Sequence, residues 1–299
     1  MEETKYIWQD GQMVEWAEAK THVLSHSLHY GSAVFEGVRF YDTPRGPAVF
    51  RLKEHTERLL NSAKDLYMNV PYSYKEINRA ILDVLRVNKV KSGYIRPIFF
   101  YGYGKMGLSV KGAPVSAVIA AWPWGSYLGD APVRVKCSSF YRLCPKAFKM
   151  SAKVSGYYIN SIFASEEAKR AGYDEALLTH CDGTVTEGPG ENFFLVKDGV
   201  LMTPPLGMIL PGITRDSILE IAKNFGIKVM EKEIKLEDVY GADEAFFTGT
   251  AAEVTPIASL DDKLFKEAPG LITAKLKAAY MEIVSGKNPQ YENWLSYVD

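Results

Sequence analysis

The run Pro123-Trp124-Gly125-Ser126-Tyr127-Leu128-Gly129 suits neither a helix nor a strand, because proline removes a backbone donor and glycine adds backbone freedom. On each side of it the sequence alternates short apolar runs with helical stripes. We therefore expect two lobes: a small α/β domain over residues 1–121, a linker over 122–131 and a larger domain over 132–299. A chain of 299 residues has room for two such domains, and the pattern is α+β in class.

Within the first lobe, Asp10-Gly11 between two short apolar runs predicts a hairpin, since the pair tolerates the positive φ of a tight turn. Residues 34–41 and 48–51 read as two further strands around a Pro/Gly turn. Leu52, His55, Leu59, Leu60, Ala63 and Leu66 share one face of a helix over 52–66, and Ile77, Ile81, Val84 and Leu85 mark another over 74–87. The apolar runs 94–101 and 115–122 are short enough for central strands. In the second lobe, strands are expected at 133–138, 175–179, 192–196, 228–233 and 244–248. Helices are expected at 157–171, closed by Gly172, and at 215–224 and 271–284.

The net charge of −1 and the lack of a long basic run exclude a nucleic-acid or anionic-membrane surface as a leading role. No apolar run approaches the ~20 residues that cross a bilayer. The acidic opening Met1-Glu2-Glu3-Thr4 has no apolar signal core, so a cytoplasmic protein is expected. Three cysteines, Cys137, Cys144 and Cys181, form no paired framework and read as small buried hydrophobes.

Gly102-Tyr103-Gly104-Lys105-Met106-Gly107 matches a dinucleotide fingerprint in form. The residues that follow cannot open the helix whose N-terminus would hold a pyrophosphate, so no nucleotide site is expected there. His22, His26 and His29 lack a nearby carboxylate or thiol to complete a zinc set, and they read as hydrogen-bonding residues; no metal is expected.

Lys153 lies among small and apolar neighbours just ahead of a predicted helix, where desolvation would favour the neutral, nucleophilic amine. Taken alone the signal is weak, because most lysines are surface residues that only happen to have apolar neighbours. Downstream, Thr186-Glu187-Gly188-Pro189-Gly190-Glu191-Asn192-Phe193 sets two carboxylates in a turn open to close approach by a ligand. Leu210-Pro211-Gly212-Ile213-Thr214-Arg215-Asp216 leads into a helix with Thr214 as candidate N-cap, where free N–H groups favour an anion such as phosphate. Gly249-Thr250-Ala251-Ala252-Glu253 offers a second open turn.

In this order, and together with His29-Tyr30-Gly31, Phe35-Glu36-Gly37, Arg51 through Arg58, Tyr94-Ile95-Arg96-Pro97 and Pro123-Trp124-Gly125, these segments resemble the branched-chain aminotransferases of the fold-type IV pyridoxal-phosphate enzymes. The resemblance covers nearly the whole chain. It implies a small α/β domain and a larger pseudobarrel-like, cofactor-binding domain, with pyridoxal 5′-phosphate between them.

By the same resemblance, Lys153 carries the cofactor as a Schiff base and moves the proton at the substrate Cα. Glu187 pairs with the ring nitrogen, and Tyr158 hydrogen-bonds the phenolic oxygen. Arg58 binds the phosphate with Gly212, Ile213, Thr214 and the Thr250 turn. Thr250, Ala251 and Tyr94 hold the substrate α-carboxylate. Tyr30, Phe35, Tyr127, Tyr158 and Leu108 line the side-chain pocket, some of them from a neighbouring subunit, and Arg96 meets the distal carboxylate of glutamate or 2-oxoglutarate. Tyr157 stands where the family often has Asn and competes with Tyr158.

The implied reaction is transamination of L-leucine, isoleucine or valine with 2-oxoglutarate, in a homodimer as minimal unit or a hexamer. The rivals are D-amino-acid or (R)-amine transamination, or an aminodeoxychorismate lyase activity, on the same scaffold, and a non-catalytic cofactor or nucleotide binder.

Overall fold

Asp10 and Gly11 take φ of +47° and +92°, and they join β1 (Tyr6–Gln9) to β2 (Gln12–Glu15) as the Asp-Gly pair requires. The computed structural model describes residues 2–125, 127–129 and 131–298, which fall into two compact units. The first comprises Met1–Gly125 with two later pieces, Ala152–Tyr157 and Glu282–Asp299, where the sequence suggested a single cut at residues 122–131. Ser126 and Asp130 of that expected linker lie outside the described residues.

In the first unit α1 (His26–Tyr30) precedes β3 (Ala33–Phe35), β4 (Val38–Thr43) and β5 (Gly46–Phe50). Two helices follow, α2 (Leu52–Asp65) and α3 (Tyr74–Asn88), then β6 (Gly93–Tyr101) and β7 (Val115–Trp122). β6 pairs antiparallel with β3, β4 and β7, so it forms the spine of the sheet. Leu59 and Ala63 of α2 and Ile77, Ile81, Val84 and Leu85 of α3 bury their stripe against Val38, Phe40, Ile95, Phe99 and Ile119. Each large aliphatic side chain so buried contributes about 1.5–3 kcal/mol. Ser73 and Glu76 close a reciprocal capping box at the start of α3.

The second unit holds β8 (Val133–Cys137), α4 (Tyr158–Arg170), β9 (Glu175–Leu177), β10 (Asn192–Lys197) and β11 (Val200–Thr203). α5 (Ile213–Asn224), β12 (Val229–Glu231), α6 (Leu236–Tyr240), β13 (Glu244–Gly249), β14 (Glu253–Leu260), β15 (Lys263–Leu264) and most of α7 (Leu271–Val284) complete it. Its sheet is mixed: β10, β11, β13, β14 and β15 meet through antiparallel ladders, while β8–β9, β8–β14 and β11–β12 are parallel. Phe193, Leu195, Phe247 and Ile257 pack its interior with Val133 and Val135. The last strand, β16 (Leu295–Tyr297), returns to the first unit and pairs with β5. Both units mix helices and sheet, the α+β class expected.

Three expectations change. The strand read over 34–41 is two strands, β3 and β4, broken at Glu36-Gly37, because Glu36 turns into the interior to meet charged partners. The helix expected from residue 215 begins at Ile213 with Gly212 as its cap, so Thr214 is a helical residue rather than the N-cap. Cys144 and Cys181 are exposed, since both sit in loops, and only Cys137 on β8 is partly buried. Burial, with Asp261 nearby, pushes the Cys137 thiol up to about 11. Among the described residues no helix is long and apolar enough to cross a membrane, and no three metal-ligating side chains cluster.

Candidate active site

Lys153 lies in the short segment that rejoins the first unit, and its backbone is held from two sides. Its N–H donates to Ser62 Oγ of α2 at 3.0 Å, and its carbonyl accepts from the Phe35 N–H of β3 at 3.1 Å. The neighbouring Val154 bridges antiparallel to Val34, and Gly156 donates to the Gly31 carbonyl at 3.0 Å. That approach needs glycine at 31, where an added Cβ would stand 2.7 Å from Gly156 Cα. The Lys153 ammonium lies 5.2 Å from the Phe35 ring centroid, and the Arg96 guanidinium carbon lies 4.8 Å from the same ring. Arg96 Nε is buried with no hydrogen-bond partner among the described residues. A buried donor without an acceptor is costly, so this one suits an incoming anion.

Beyond Phe35, Glu36 is fully buried. Its Oε1 accepts from Arg58 Nε at 2.6 Å, and its Oε2 accepts from Arg58 Nη2 at 2.9 Å and His55 Nδ1 at 2.8 Å. Positions 55 and 58 are three apart on α2, which puts both side chains on the face toward Glu36. Burial raises the Glu36 carboxyl, but the charges and hydrogen bonds of Arg58 and His55 outweigh it and hold the group well below the usual carboxylate range. Burial lowers His55; Glu36 pulls the other way without offsetting it, and Arg58 and Lys153 add to the lowering.

Tyr94 of β6 lies across the Gly37 backbone, where a Cβ would meet its hydroxyl at 1.7 Å. Trp124 packs edge-on against the same ring, 4.6 Å between centroids. Arg39 Nη2 donates to the Trp124 and Gly125 carbonyls and so ties this aromatic corner to β4. Arg96, Trp122 and Trp124 line a cleft of about 850 Å³ beside it.

In the second unit, Glu187 Oε1 accepts from Arg142 Nε at 2.8 Å and Oε2 from Asn192 Nδ2 at 3.0 Å, while the Leu210 N–H reaches both oxygens at 3.2–3.3 Å. These donors favour the ionised carboxylate. Arg142 Nη1 is buried without a hydrogen-bond partner among the described residues. Asn192 also donates to the Leu210 carbonyl at 2.9 Å, and its Oδ1 would stand 1.8 Å from any Cβ at position 212, so only glycine fits there. Gly212 then opens the twelve-residue α5 with no side-chain cap, leaving first-turn N–H groups of Ile213 and Thr214 for an anion. Thr250 and Ala251 occupy the tight turn between β13 and β14, closed by the Gly249–Glu253 pair.

Tyr30 is partly exposed at the end of α1, its ring 4.4 Å from His26, and its hydroxyl accepts from the Gly107 N–H at 3.3 Å. Leu108, on the adjoining loop, is 87% exposed. Tyr127 lines a groove of the second unit with Leu128, Lys169 and Tyr173. Tyr157 packs against the core of the first unit, whereas Tyr158 begins α4. No helix follows Gly107, and His26 Nε2 bonds the Gly107 carbonyl at 2.8 Å, so the loop is tied down within the protein.

Glu36, His55, Arg142 and Asn192 have no role legible in the sequence. The 55/58 spacing on a predicted helix was the one signal for the first cluster. Arg142 carried none, because it lies in an irregular stretch far from Glu187 in sequence.

The family model for class IV amino-transferases matches residues 33–260. A branched-chain-amino-acid aminotransferase of Pseudomonas aeruginosa is 49% identical over 98% of this chain and 97% of its own length. The crystal structure of the Escherichia coli branched-chain amino acid aminotransferase superposes with a TM-score of 0.97 at 43% identity, covering 99% of this chain and all of that one. The branched-chain amino acid aminotransferase of Thermobaculum terrenum, in its PLP-bound holo form, superposes at 0.94 with 35% identity and covers 100% of both chains. With matches of that extent on every side, the chain belongs to the class IV amino-transferases and, within them, to the branched-chain aminotransferase family.

Proposed function

We propose that this chain is a pyridoxal-phosphate-dependent transaminase that moves the amino group of L-leucine, L-isoleucine or L-valine onto 2-oxoglutarate, giving branched 2-oxo acids and L-glutamate. The observation that carries the reading is the two-sided backbone clamp on Lys153, whose amine lies over the Phe35 ring. The residues present fit the cofactor. Arg58 and the uncapped start of α5 suit a phosphate, and Glu187 with its three donor groups suits a protonated ring nitrogen.

When bound, pyridoxal phosphate supplies an electron-withdrawing ring that takes up the pair left at the substrate Cα. Lys153 would carry the cofactor on its amine and, once displaced, hold the proton that leaves Cα. Such positioned proton transfer contributes about 10²–10⁴-fold in rate. Glu187 would keep the ring nitrogen protonated, and Tyr158 would donate to the phenolic oxygen. Arg58, Gly212, Ile213, Thr214 and Thr250 would hold the phosphate. Thr250, Ala251 and Tyr94 would hold the α-carboxylate. Phe35, Tyr30, Leu108 and Tyr127 would exclude water around an aliphatic side chain, and Arg96, with its orphaned Nε, would take the distal carboxylate of the second substrate.

Relatives at 44–49% identity do not favour the D-amino-acid alternative. Lys153→Ala should lose the visible absorbance of bound cofactor and at least about a hundredfold in turnover; normal absorbance and turnover would place the chemistry elsewhere. In the same assay L-leucine should outpace D-alanine and (R)-1-phenylethylamine, and faster turnover of D-alanine would overturn the substrate reading.

The chain is proposed to act in the cytoplasm as a homodimer. Val23, Leu28 and Leu108 stand in solvent in the single chain, and a second copy covering them would remove that apolar surface from water. Sedimentation velocity should show at least a dimer at micromolar concentration, and a monomer would sink this part.

A further inference from the structure

An arginine offered to a phosphate gains from its planar fork only if the plane is fixed. Arg58 hangs from a helix on a flexible stem, so something must fix it. Glu36 meets that need: two hydrogen bonds, Nε to Oε1 at 2.6 Å and Nη2 to Oε2 at 2.9 Å, set the guanidinium plane. Glu36 is itself immobile. Its side chain is fully buried, its N–H donates to the Pro97 carbonyl at 2.9 Å, and His55 Nδ1 occupies Oε2 from a second direction at 2.8 Å.

Stability alone is a weak reason for such a cluster. A buried ion pair loses in desolvation much of what it gains in attraction, and apolar side chains of the same volume often serve as well. Charge alone is a worse reason, since a carboxylate beside Arg58 subtracts from the field an incoming phosphate feels. What the carboxylate adds is orientation.

We propose that Glu36, seconded by His55, is a positioning residue for phosphate recognition: it locks the Arg58 guanidinium so that the fork meets the phosphate of the cofactor in one plane. The inference rests on the reading of the chain as a pyridoxal-phosphate enzyme.

The discriminating quantity is the ratio of affinities for pyridoxal phosphate and pyridoxal, measured by titrating the full chain after its cofactor has been removed. A purely structural role for Glu36 would weaken both ligands alike and leave the ratio unmoved. Glu36→Gln keeps the shape but turns one acceptor into a donor, and the ratio should fall roughly tenfold to a hundredfold, the worth of one charge-assisted hydrogen bond. Glu36→Asp keeps the charge but is one methylene too short to hold both nitrogens, so it should lower the ratio as well, and it serves if the glutamine variant fails to fold. Arg58→Lys should cut the ratio in the native background and add little on top of Glu36→Gln, because both remove the same grip.

An unchanged or larger ratio in the folded Glu36 variants overturns the inference and leaves the functional reading standing. A native chain that binds neither ligand, or binds both equally, overturns the two together.

Discussion

At Gly31 the backbone enters the left-handed region, φ +63°, just ahead of β3. An L-residue there costs about 1–2 kcal/mol from backbone strain alone. A second effect is local to this position, since the added Cβ would press on Gly156 Cα at 2.7 Å, backbone against backbone. The segment that gives way is the one carrying Lys153. Gly46 supplies the matched control, because it too has positive φ, +102°, yet nothing lies within 4 Å of its Cβ direction. Both Gly31→Ala and Gly46→Ala should therefore lower the melting temperature by strain. Only Gly31→Ala should lower kcat, by about tenfold to a hundredfold, as displacement of a reacting group by an ångström does. Steady-state kinetics on the two folded variants decide it, and equal kcat values would show that the glycine contact does not position the lysine.

Among the elements, those whose apolar pattern is regular were legible and those shaped by the site were not. α2 and α3 followed from stripes of buried side chains, and the β1–β2 hairpin followed from one Asp-Gly pair, because each signal is local and repeated. The run through residues 34–41 looked like one strand, since Val34, Phe35, Val38 and Phe40 are good strand residues. What breaks it is a carboxylate drawn inward by partners nineteen and twenty-two positions away, which no local pattern records. The start of α5 was misplaced for a similar reason. Thr214 is the better cap by chemistry, but the Asn192 side chain leaves room only for glycine at 212, and the helix starts there. Lys153, Arg58 and Glu187 were visible in ordered motifs. Their holders (Ser62, Glu36, Arg142 and Asn192) were silent, because a residue that acts through another leaves no spacing of its own.

On the scale of the whole molecule, a formal net charge of −1 leaves little global repulsion near neutral pH, so the pH response of stability falls to individual groups. Burial depresses two histidines, His55 and His180. A depressed folded-state pKa means that the unfolded chain binds the proton more readily. The stability each histidine contributes is therefore complete above its unfolded value of about 6.5, and it drains away as pH falls below that value toward the folded one. Glu36 is depressed too, and its share is lost only at more acid pH, below the ordinary carboxylate value. Glu175 has the opposite sign: burial raises it, so it favours the fold at low pH and gives that up as pH rises. Between pH 7 and 5 the histidines should dominate, and the melting temperature should fall on acidification. His55→Gln lowers stability at every pH by removing a partner of Glu36, but it also removes one of the two draining groups, so its melting temperature should fall less steeply over that window. Scanning calorimetry of both proteins at pH 7, 6 and 5 measures the slopes. Parallel lines would mean that His55 does not take up its proton on unfolding.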